Sequence, residues 1–274
     1  MRSMSLTRRL ALASASAAAV AGLALAGSAG ASASAAHPAG VSPTTVYTSN
    51  GEAGYYAFGT GFSRVHSQVY IRKYAANLGT ADAMGIQLCN NSDGNAIQIG
   101  VVPNGTTPQT FSVRYGVGAL TGSPDPCVGV GTLSPSDPLA TAALGHLPIQ
   151  ENIAMNIKLI GHDRAVVAAQ DLTTDTNYWS TVISIPENFY GEAGVGLQDG
   201  FTPPLAGPAT NELAAMRNSY VVDNHGHEGA LGTSPYWTAV QVNSSGTGNP
   251  PALITPKSSL SGNTFKIWAA TPAS

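Results

Sequence analysis

The stretch Ala96-Ile97-Gln98-Ile99-Gly100-Val101 has the alternation of side chains that indicates a half-buried β-strand. Successive side chains of a strand point to opposite faces, so the isoleucines and the valine share one face, and Gln98 lies on the other with Gly100. A glutamine on a face cleared by a glycine can donate hydrogen bonds to whatever lies on that face. The stretch therefore predicts one buried face and one candidate binding face.

The same period of two recurs along most of the chain. Met84–Leu88 alternates in this way, and the turn-forming run 90–95 separates it from the first stretch, which predicts a hairpin over 84–101. Further segments of this kind lie at 65–71, 111–117, 153–159, 165–171, 179–185, 218–223, 236–242 and 263–269. Helical features are limited to 138–147 and to Asn211–Arg217. About ten short strands predict an all-β fold, an antiparallel β-sandwich.

The first 35 residues have the composition of a secretory signal peptide. Three arginines at the start precede an uncharged segment rich in Ala, Leu and Val at 10–26, and small-residue cleavage sites follow at 31–35. We predict a signal peptide over 1–35, a flexible lead over 36–50 and a single β-sandwich domain over 51–274. The protein is therefore expected to be secreted and extracellular, with no stable membrane insertion.

The net charge of the chain argues against two classes of partner. The sequence has 12 basic and 15 acidic residues, and three of the basic ones, Arg2, Arg8 and Arg9, lie in the predicted signal peptide. Their removal leaves nine basic against 15 acidic residues, a formal net charge of −6. A nucleic acid or an anionic membrane surface would need a basic patch, so we expect neither as a partner. We expect a soluble monomer.

Cys89 and Cys127 are the two cysteines of the chain. Two cysteines in an oxidising compartment most often pair, so we predict a disulfide between them. No His and Asn context for a catalytic cysteine accompanies either residue.

Several segments together resemble the glutamic peptidases (eqolisins), a family with a concanavalin A-like β-sandwich fold. Met84–Leu88 is similar to the first signature strand of that family, and 96–101 is similar to its catalytic glutamine strand. Ala193–Asp199 falls where the family has a strand that ends in the catalytic glutamate. Tyr220–Asn224 resembles the strand that follows. The resemblance implies that the sandwich is a concanavalin A-like jelly roll.

The chemistry of that family makes one departure important. A glutamate takes a proton from water, and a glutamine amide donates to the oxyanion that develops. Gln98 matches the glutamine, but the family's glutamate falls on Gln198, whose amide cannot act as a general base. Glu192 shares the face of Gln198 by parity yet lies about 20 Å along the strand, unless a β-bulge brings it closer. Gln98, Gln198 and Glu192 are therefore the candidate catalytic positions, in a chain whose base is replaced.

Aromatic residues suggest a second kind of ligand. An exposed ring on a concave sheet face can stack on a sugar or pack against a peptide, and we assign Tyr70, Tyr178 and Trp237 to this role. A retaining glycosidase would need two carboxylates about 5–5.5 Å apart, and no strand has paired acids at that spacing. The sequence therefore favours binding over glycoside hydrolysis.

The run His225-Gly226-His227-Glu228 has side chains that bind metal ions. A fourth ligand is not identifiable from spacing, so we interpret the run as a polar loop and predict neither a metal nor a cofactor.

We therefore expect a non-catalytic extracellular domain, related to glutamic peptidases, that binds peptide or polysaccharide on its concave face. The alternative is an active acid glutamic endopeptidase, in which Gln98 stabilises the oxyanion and Glu192 or another acid is the base.

Overall fold

The computed structural model describes residues 45–49, 52–73, 75, 83–90, 92, 95–119, 140–141, 144, 146–175, 178–185, 190–198, 211–232, 234–244, 253–258 and 263–270. Nearly all of the regular structure in these residues is β. Among them, no helix has both the length and the apolar character needed to cross a membrane. The predicted signal peptide over 1–35 lies outside the described residues and stays a prediction.

The described strands are short and follow one another with few long connections. In chain order they are β1 (Thr45–Ser49), β2 (Glu52–Phe58), β3 (Phe62–Ile71), β4 (Ala83–Cys89), β5 (Asn95–Pro103), β6 (Phe111–Ala119), β7 (Ala140–Thr141), β8 (Asn152–Leu159), β9 (Arg164–Asp171), β10 (Tyr178–Ser184), β11 (Glu192–Gln198), β12 (Asn211–Asp223), β13 (Glu228–Ala230), β14 (Thr238–Ser244), β15 (Leu253–Ser258) and β16 (Phe265–Ala270).

The strands form two antiparallel sheets. The front sheet, which contains Gln98, has the order β14-β2-β11-β4-β5-β6-β7, and the back sheet has the order β10-β9-β8-β3-β12-β16-β15. The two meet where β14 and β15 pair at Ser244 and Ile254. A parallel pairing joins β1 to β14, and β13 pairs with β12. Non-consecutive neighbours such as β2 and β11 show that the chain crosses repeatedly between the sheets.

One hydrophobic core lies between the sheets. Its members alternate along each strand, as the period of two requires. They include Ile86, Leu88, Ile97 and Ile99 from the front sheet and Val65, Val69, Ile153, Met155 and Ile157 from the back sheet. These side chains are almost completely buried, and burying each one contributes about 1.5–3 kcal/mol to folding before its entropic cost.

The predicted all-β sandwich and the hairpin over 84–101 are confirmed. The hairpin is β4 and β5, which pair in an unbroken register from Met84 with Val101 to Cys89 with Ala96. The isoleucines and the valine of the opening stretch belong to the core, and Gln98 lies on the opposite face. The front sheet therefore presents Gln98 on its outer face.

Two segments have a conformation that their local pattern does not indicate. Asn211–Arg217, which has helical spacing, begins strand β12, because β3 and β16 flank this segment and supply hydrogen-bonding partners on both sides. The predicted flexible lead over 36–50 contains strand Thr45–Ser49, which pairs with β14. In both cases a distant strand decides the local conformation.

Of the two cysteines in the predicted disulfide, one lies in the described part of the chain. Cys89 ends β4 and is fully buried. Cys127 lies outside the described residues, so the pairing stays a prediction.

Candidate functional site

A line of polar groups crosses the outer face of the front sheet. Gln98 of β5 lies opposite Gln87 of β4, and Gln87 lies opposite Gly194 of β11. Gln98 Nε2 donates a hydrogen bond to Gln87 Oε1 at 2.9 Å, and Gln87 Nε2 donates to Glu192 Oε1 at 3.2 Å. The three side chains, which we call the amide row, are 3, 4 and 0% exposed. The row therefore holds one carboxylate at its buried end and two amides.

Four glycines lie on the same face, each two residues along its strand from the row that contains Gln87 and Gln98. Gly54, Gly196, Gly85 and Gly100 are cross-strand partners on four neighbouring strands. A Cβ at position 85 would lie 2.2 Å from the carbonyl oxygen of Ile99, and one at position 54 would lie 2.2 Å from that of Val195. Such distances are impossible for real atoms, so only glycine allows these strands to pair this closely.

Tyr56 completes the face beside the amide row. It is the cross-strand partner of Gly194, and a Cβ at position 194 would lie 2.4 Å from its ring and 3.0 Å from Gln87 Cγ. The missing side chain thus gives the tyrosine ring its place next to Gln87. The ring itself is buried, together with Val240 and Val242 of β14.

The two glutamines of the amide row and four glycines line a narrow concavity, which we call the glycine groove. Its described lining consists of Tyr56, Ala83, Gly85, Ile86, Gln87, Gln98, Ile99, Gly100, Gly194 and Gly196. Among these lining residues there is no carboxylate. Glu192 lies beyond Gln87, outside the lining. The groove therefore offers amide groups, a tyrosine and backbone, and its described lining carries no carboxylate.

The structure links two of the three candidate catalytic residues and leaves the third apart from them. Gln98 and Glu192 are joined through Gln87, whereas Gln198 pairs with Ala83, four positions along β11 from Gly194. Four positions correspond to about 13 Å along a strand. The described part of β11 pairs without a register shift, so no bulge there moves Glu192 toward Gln198. The side chain of Gln198 is outside the described part of the structure.

Gln87 is the member of the site that our sequence interpretation missed. Its signal was available, because a hairpin over 84–101 with a turn at 90–95 places Gln87 opposite Gln98 on the outer face. What the sequence did not show was which strand lies on the other side of β4. Only the folded register of β11 shows that Glu192 accepts a hydrogen bond from Gln87.

The three predicted ligand-binding rings lie away from the groove. Trp237 is 7% exposed and belongs to the core, where its Nε1 donates to the Leu231 carbonyl at 3.2 Å. Tyr178 is 51% exposed on β10, at the edge of the back sheet. Tyr70 lies on β3, with the guanidinium of Arg72 4.6 Å from its ring centre. The structure does not bring these rings together with Gln98.

The outer face of the back sheet holds larger and charged side chains. The rings of His66 and Tyr220 are 4.8 Å apart, and the Arg64 guanidinium lies 5.2 Å from the Tyr220 ring. Arg64 Nε also donates to Asn156 Oδ1 at 2.6 Å. Burial, together with the positive charge of Arg64, lowers the pKa of His66 to about 4. His66 is therefore neutral at neutral pH.

A second polar cluster lies in the turn between β12 and β13. Asp223 Oδ1 accepts hydrogen bonds from the backbone N–H groups of His225 and His227 at 2.9 and 2.8 Å. Its Oδ2 lies 2.8 Å from His227 Nδ1. Burial opposes ionisation of Asp223, but the hydrogen bonds from these two histidines outweigh it and hold its pKa below the ordinary value. The carboxylate is thus kept charged.

Comparison with known proteins identifies the fold of this chain. No protein-family model matches the chain, and no curated protein matches it. Solved structures do match. Two are scytalido-glutamic peptidase, one with a transition state analog inhibitor (TM-score 0.57, 12% identity) and one with a peptide-based transition state analog (TM-score 0.53, 12% identity). A third is SCP-B, a member of the eqolisin family of peptidases, in complex with the tripeptide Ala-Ile-His (TM-score 0.52, 10% identity).

Each match covers 81% of this chain and 98% of the solved chain. At identities this low the likeness concerns the fold. It agrees with the implication of the sequence resemblance, and this chain therefore has the β-sandwich fold of the glutamic peptidases.

Proposed function

We propose that this protein binds extended peptides in the glycine groove without cleaving them. The observation that carries the proposal is the composition of the groove, whose described lining has the amides of Gln87 and Gln98 beside glycine backbone and has no carboxylate. We further propose, from the N-terminal sequence pattern, that it is secreted and acts outside the cell.

An extended peptide suits these groups. Its backbone N–H and C=O groups need partners of both kinds, and a glutamine amide both donates and accepts. The glycines at positions 85, 100, 194 and 196 of the groove lining carry no side chain that a bound peptide would have to displace. Stacking of a polysaccharide would need the face of a ring open to the groove, and Tyr56, the aromatic residue of the described lining, packs with Val240 and Val242. The solved structures with peptide-based ligands support the same class of ligand for this fold.

The position of Glu192 argues against catalysis. A general base must reach, directly or through one water, the proton that it removes. Glu192 is 0% exposed, and its Oε1 accepts a hydrogen bond from Gln87, which lies between it and Gln98. The carboxylate therefore accepts a hydrogen bond inside the amide row and does not reach the surface of the groove.

One observation favours the alternative of an acid endopeptidase. Glu192 and Gln98, a carboxylate and an amide donor, belong to one hydrogen-bonded row. If Gln87 moved aside, Glu192 could activate a water and Gln98 could stabilise the oxyanion. Both functions would use the groove. They differ in whether Glu192 accepts a hydrogen bond from Gln87 or acts as a general base.

A paired assay separates them. The purified chain would be tested for binding to an array of 12-residue peptides and to a polysaccharide array, and for cleavage of denatured casein from pH 2 to 7. We expect peptide binding that Gln98→Ala weakens about tenfold, which corresponds to the loss of one hydrogen bond. Tyr70→Ala, on the other sheet, is the matched control and should bind as the unmodified chain does.

Each other outcome has a definite meaning. Cleavage that Glu192→Gln abolishes would establish the endopeptidase. Binding to polysaccharides alone would overturn the peptide class, and peptide binding unchanged by Gln98→Ala would remove the groove as the site.

A further inference from the structure

The turn that joins β12 to β13 brings three metal-binding side chains together. Asp223, His225 and His227 each offer one ligand atom, and these atoms lie within 4.8 Å of one another. The turn lies on the back sheet, and none of the three residues lines the glycine groove. The cluster is thus separate from the proposed peptide site.

The two oxygens of Asp223 have different tasks. Oδ1 accepts the backbone N–H groups of His225 and His227, which fixes the path of the turn, and Gly226 between them has a φ of +86°. Oδ2 is left facing the imidazoles, 2.8 Å from His227 Nδ1 and 3.8 Å from His225 Nδ1. The backbone thus holds the carboxylate in position for a second use.

The imidazoles are oriented and accessible. The ring of His227 stacks on Tyr236 with centroids 3.9 Å apart and an angle of 3° between the planes. Asp223 is 6% exposed, whereas the side chains of His225 and His227 are 65% and 43% exposed. A stacked ring loses less freedom when it binds an ion, and both imidazole side chains are open to solvent.

We propose that Asp223 Oδ2, His225 Nδ1 and His227 Nδ1 bind one zinc ion, with the remaining coordination position open to water. Zinc–ligand distances of about 2.1 Å in a tetrahedron place ligand atoms about 3.4 Å apart. The two observed distances to Oδ2, 2.8 and 3.8 Å, lie on either side of this value. The ion would replace the proton that His227 Nδ1 now donates to Oδ2.

The ligand types select the class of ion. Two imidazole nitrogens favour zinc and the neighbouring transition metals, while magnesium and calcium prefer oxygen ligands throughout. The histidine-rich run alone suggested Glu228 as the third ligand, but the fold supplies Asp223 in its place. Glu228 begins strand β13 and is not part of the three-residue cluster.

A zinc titration of the full chain, prepared without an affinity tag, tests the proposal. Competition with a chromogenic chelator would give the stoichiometry and the affinity. We expect one zinc per chain, and a loss of affinity of at least about tenfold for His225→Ala and for His227→Ala, since even outer partners of a metal site contribute that much. The exposed histidines at other sites supply matched controls, His146→Ala and His162→Ala, which should bind as the unmodified chain does.

A second readout does not depend on the chelator. Zinc should raise the thermal unfolding temperature of the unmodified chain and not that of His227→Ala, because only the first binds the ion. Asp223→Asn should keep the turn, through its remaining oxygen, and lose zinc affinity. No binding at one equivalent, or binding unchanged in both histidine variants, would overturn the site and leave the peptide proposal unaffected.

Discussion

The two sheets of this sandwich share one core but have opposite outer faces. The front face has four glycines in line beside the amide row. On the back face, Arg64, His66 and Tyr220 pack on one another, and Glu212 forms ion pairs with Arg72 and Lys266. The two faces therefore differ above all in the size of their side chains. Large side chains cover the back sheet, whereas glycines let the strands of the front sheet approach one another closely.

The largest effect is expected from filling the glycine line. Gly85→Ala places a Cβ 2.2 Å from the Ile99 carbonyl oxygen, so β4 and β5 must separate. We expect a loss of about 3 kcal/mol or more in the free energy of unfolding, at the upper end of overpacking costs. Urea unfolding measures it. Gly118→Ala, on β6 of the same sheet with nothing within 4 Å, is the control and should be neutral or slightly stabilising. Equal losses in both variants would show that close strand approach is not the cause.

The back face should respond to acid. Since the pKa of His66 is lowered to about 4 in the folded chain, the unfolded chain binds the proton more readily between pH 6.5 and 4. Stability should therefore fall by about 3 kcal/mol as the pH decreases through this window. His66→Phe keeps a ring beside Tyr220 and should remove most of the loss, as measured by urea unfolding at pH 7 and pH 4.5. An unchanged pH dependence in this variant would contradict the assignment.

The amide row should be more sensitive in its middle than at its end. Gln87→Ala removes the donor to Glu192 and the acceptor for Gln98, and we expect a cost of about 1–3 kcal/mol. Gln98→Ala removes one hydrogen bond and should cost about 1 kcal/mol. Thermal unfolding of the two variants side by side gives the order. The reverse order would mean that the row is not coupled through Gln87.

The smallest effect is expected from the ion pairs of the back face. Lys266 Nζ lies 3.0 Å from Glu212 Oε2, and the lysine side chain is 47% exposed. Lys266→Ala should therefore cost about 0.5 kcal/mol or less, and the difference should shrink in high salt. A loss above 1 kcal/mol in unfolding experiments would show that charge contributes more to this face than packing does.

Local alternation predicted much of the front sheet. The hairpin of β4 and β5 needs only its own residues and turn, so its faces followed from the positions of Gln98 and the neighbouring isoleucines. By contrast, the pairing of β11 with β4 joins positions more than one hundred residues apart, and the link from Gln87 to Glu192 depends on it. No local pattern contains that register.

The same reason explains why local spacing is misleading elsewhere in the chain. Asn211–Arg217 has helical spacing, yet it lies between β3 and β16, and both pairings come from distant sequence. Asp223 is a different case. It precedes His225 and His227 at intervals of two residues, so the proposed zinc ligands could have been grouped from the sequence if the turn had been recognised.

The glycine line has a consequence for how this protein can change over evolution. At Gly54, Gly85 and Gly196 every substitution meets the backbone of the neighbouring strand, so a single mutation cannot be absorbed by a shift of one side chain. Tyr56, Gln87 and Gln98 stand beside this line, where the two amides contact each other and the ring packs with Val240 and Val242. In the proposed peptide site, ligand preference would therefore change through the tyrosine and the two glutamines, while the glycine line beside them stays the same.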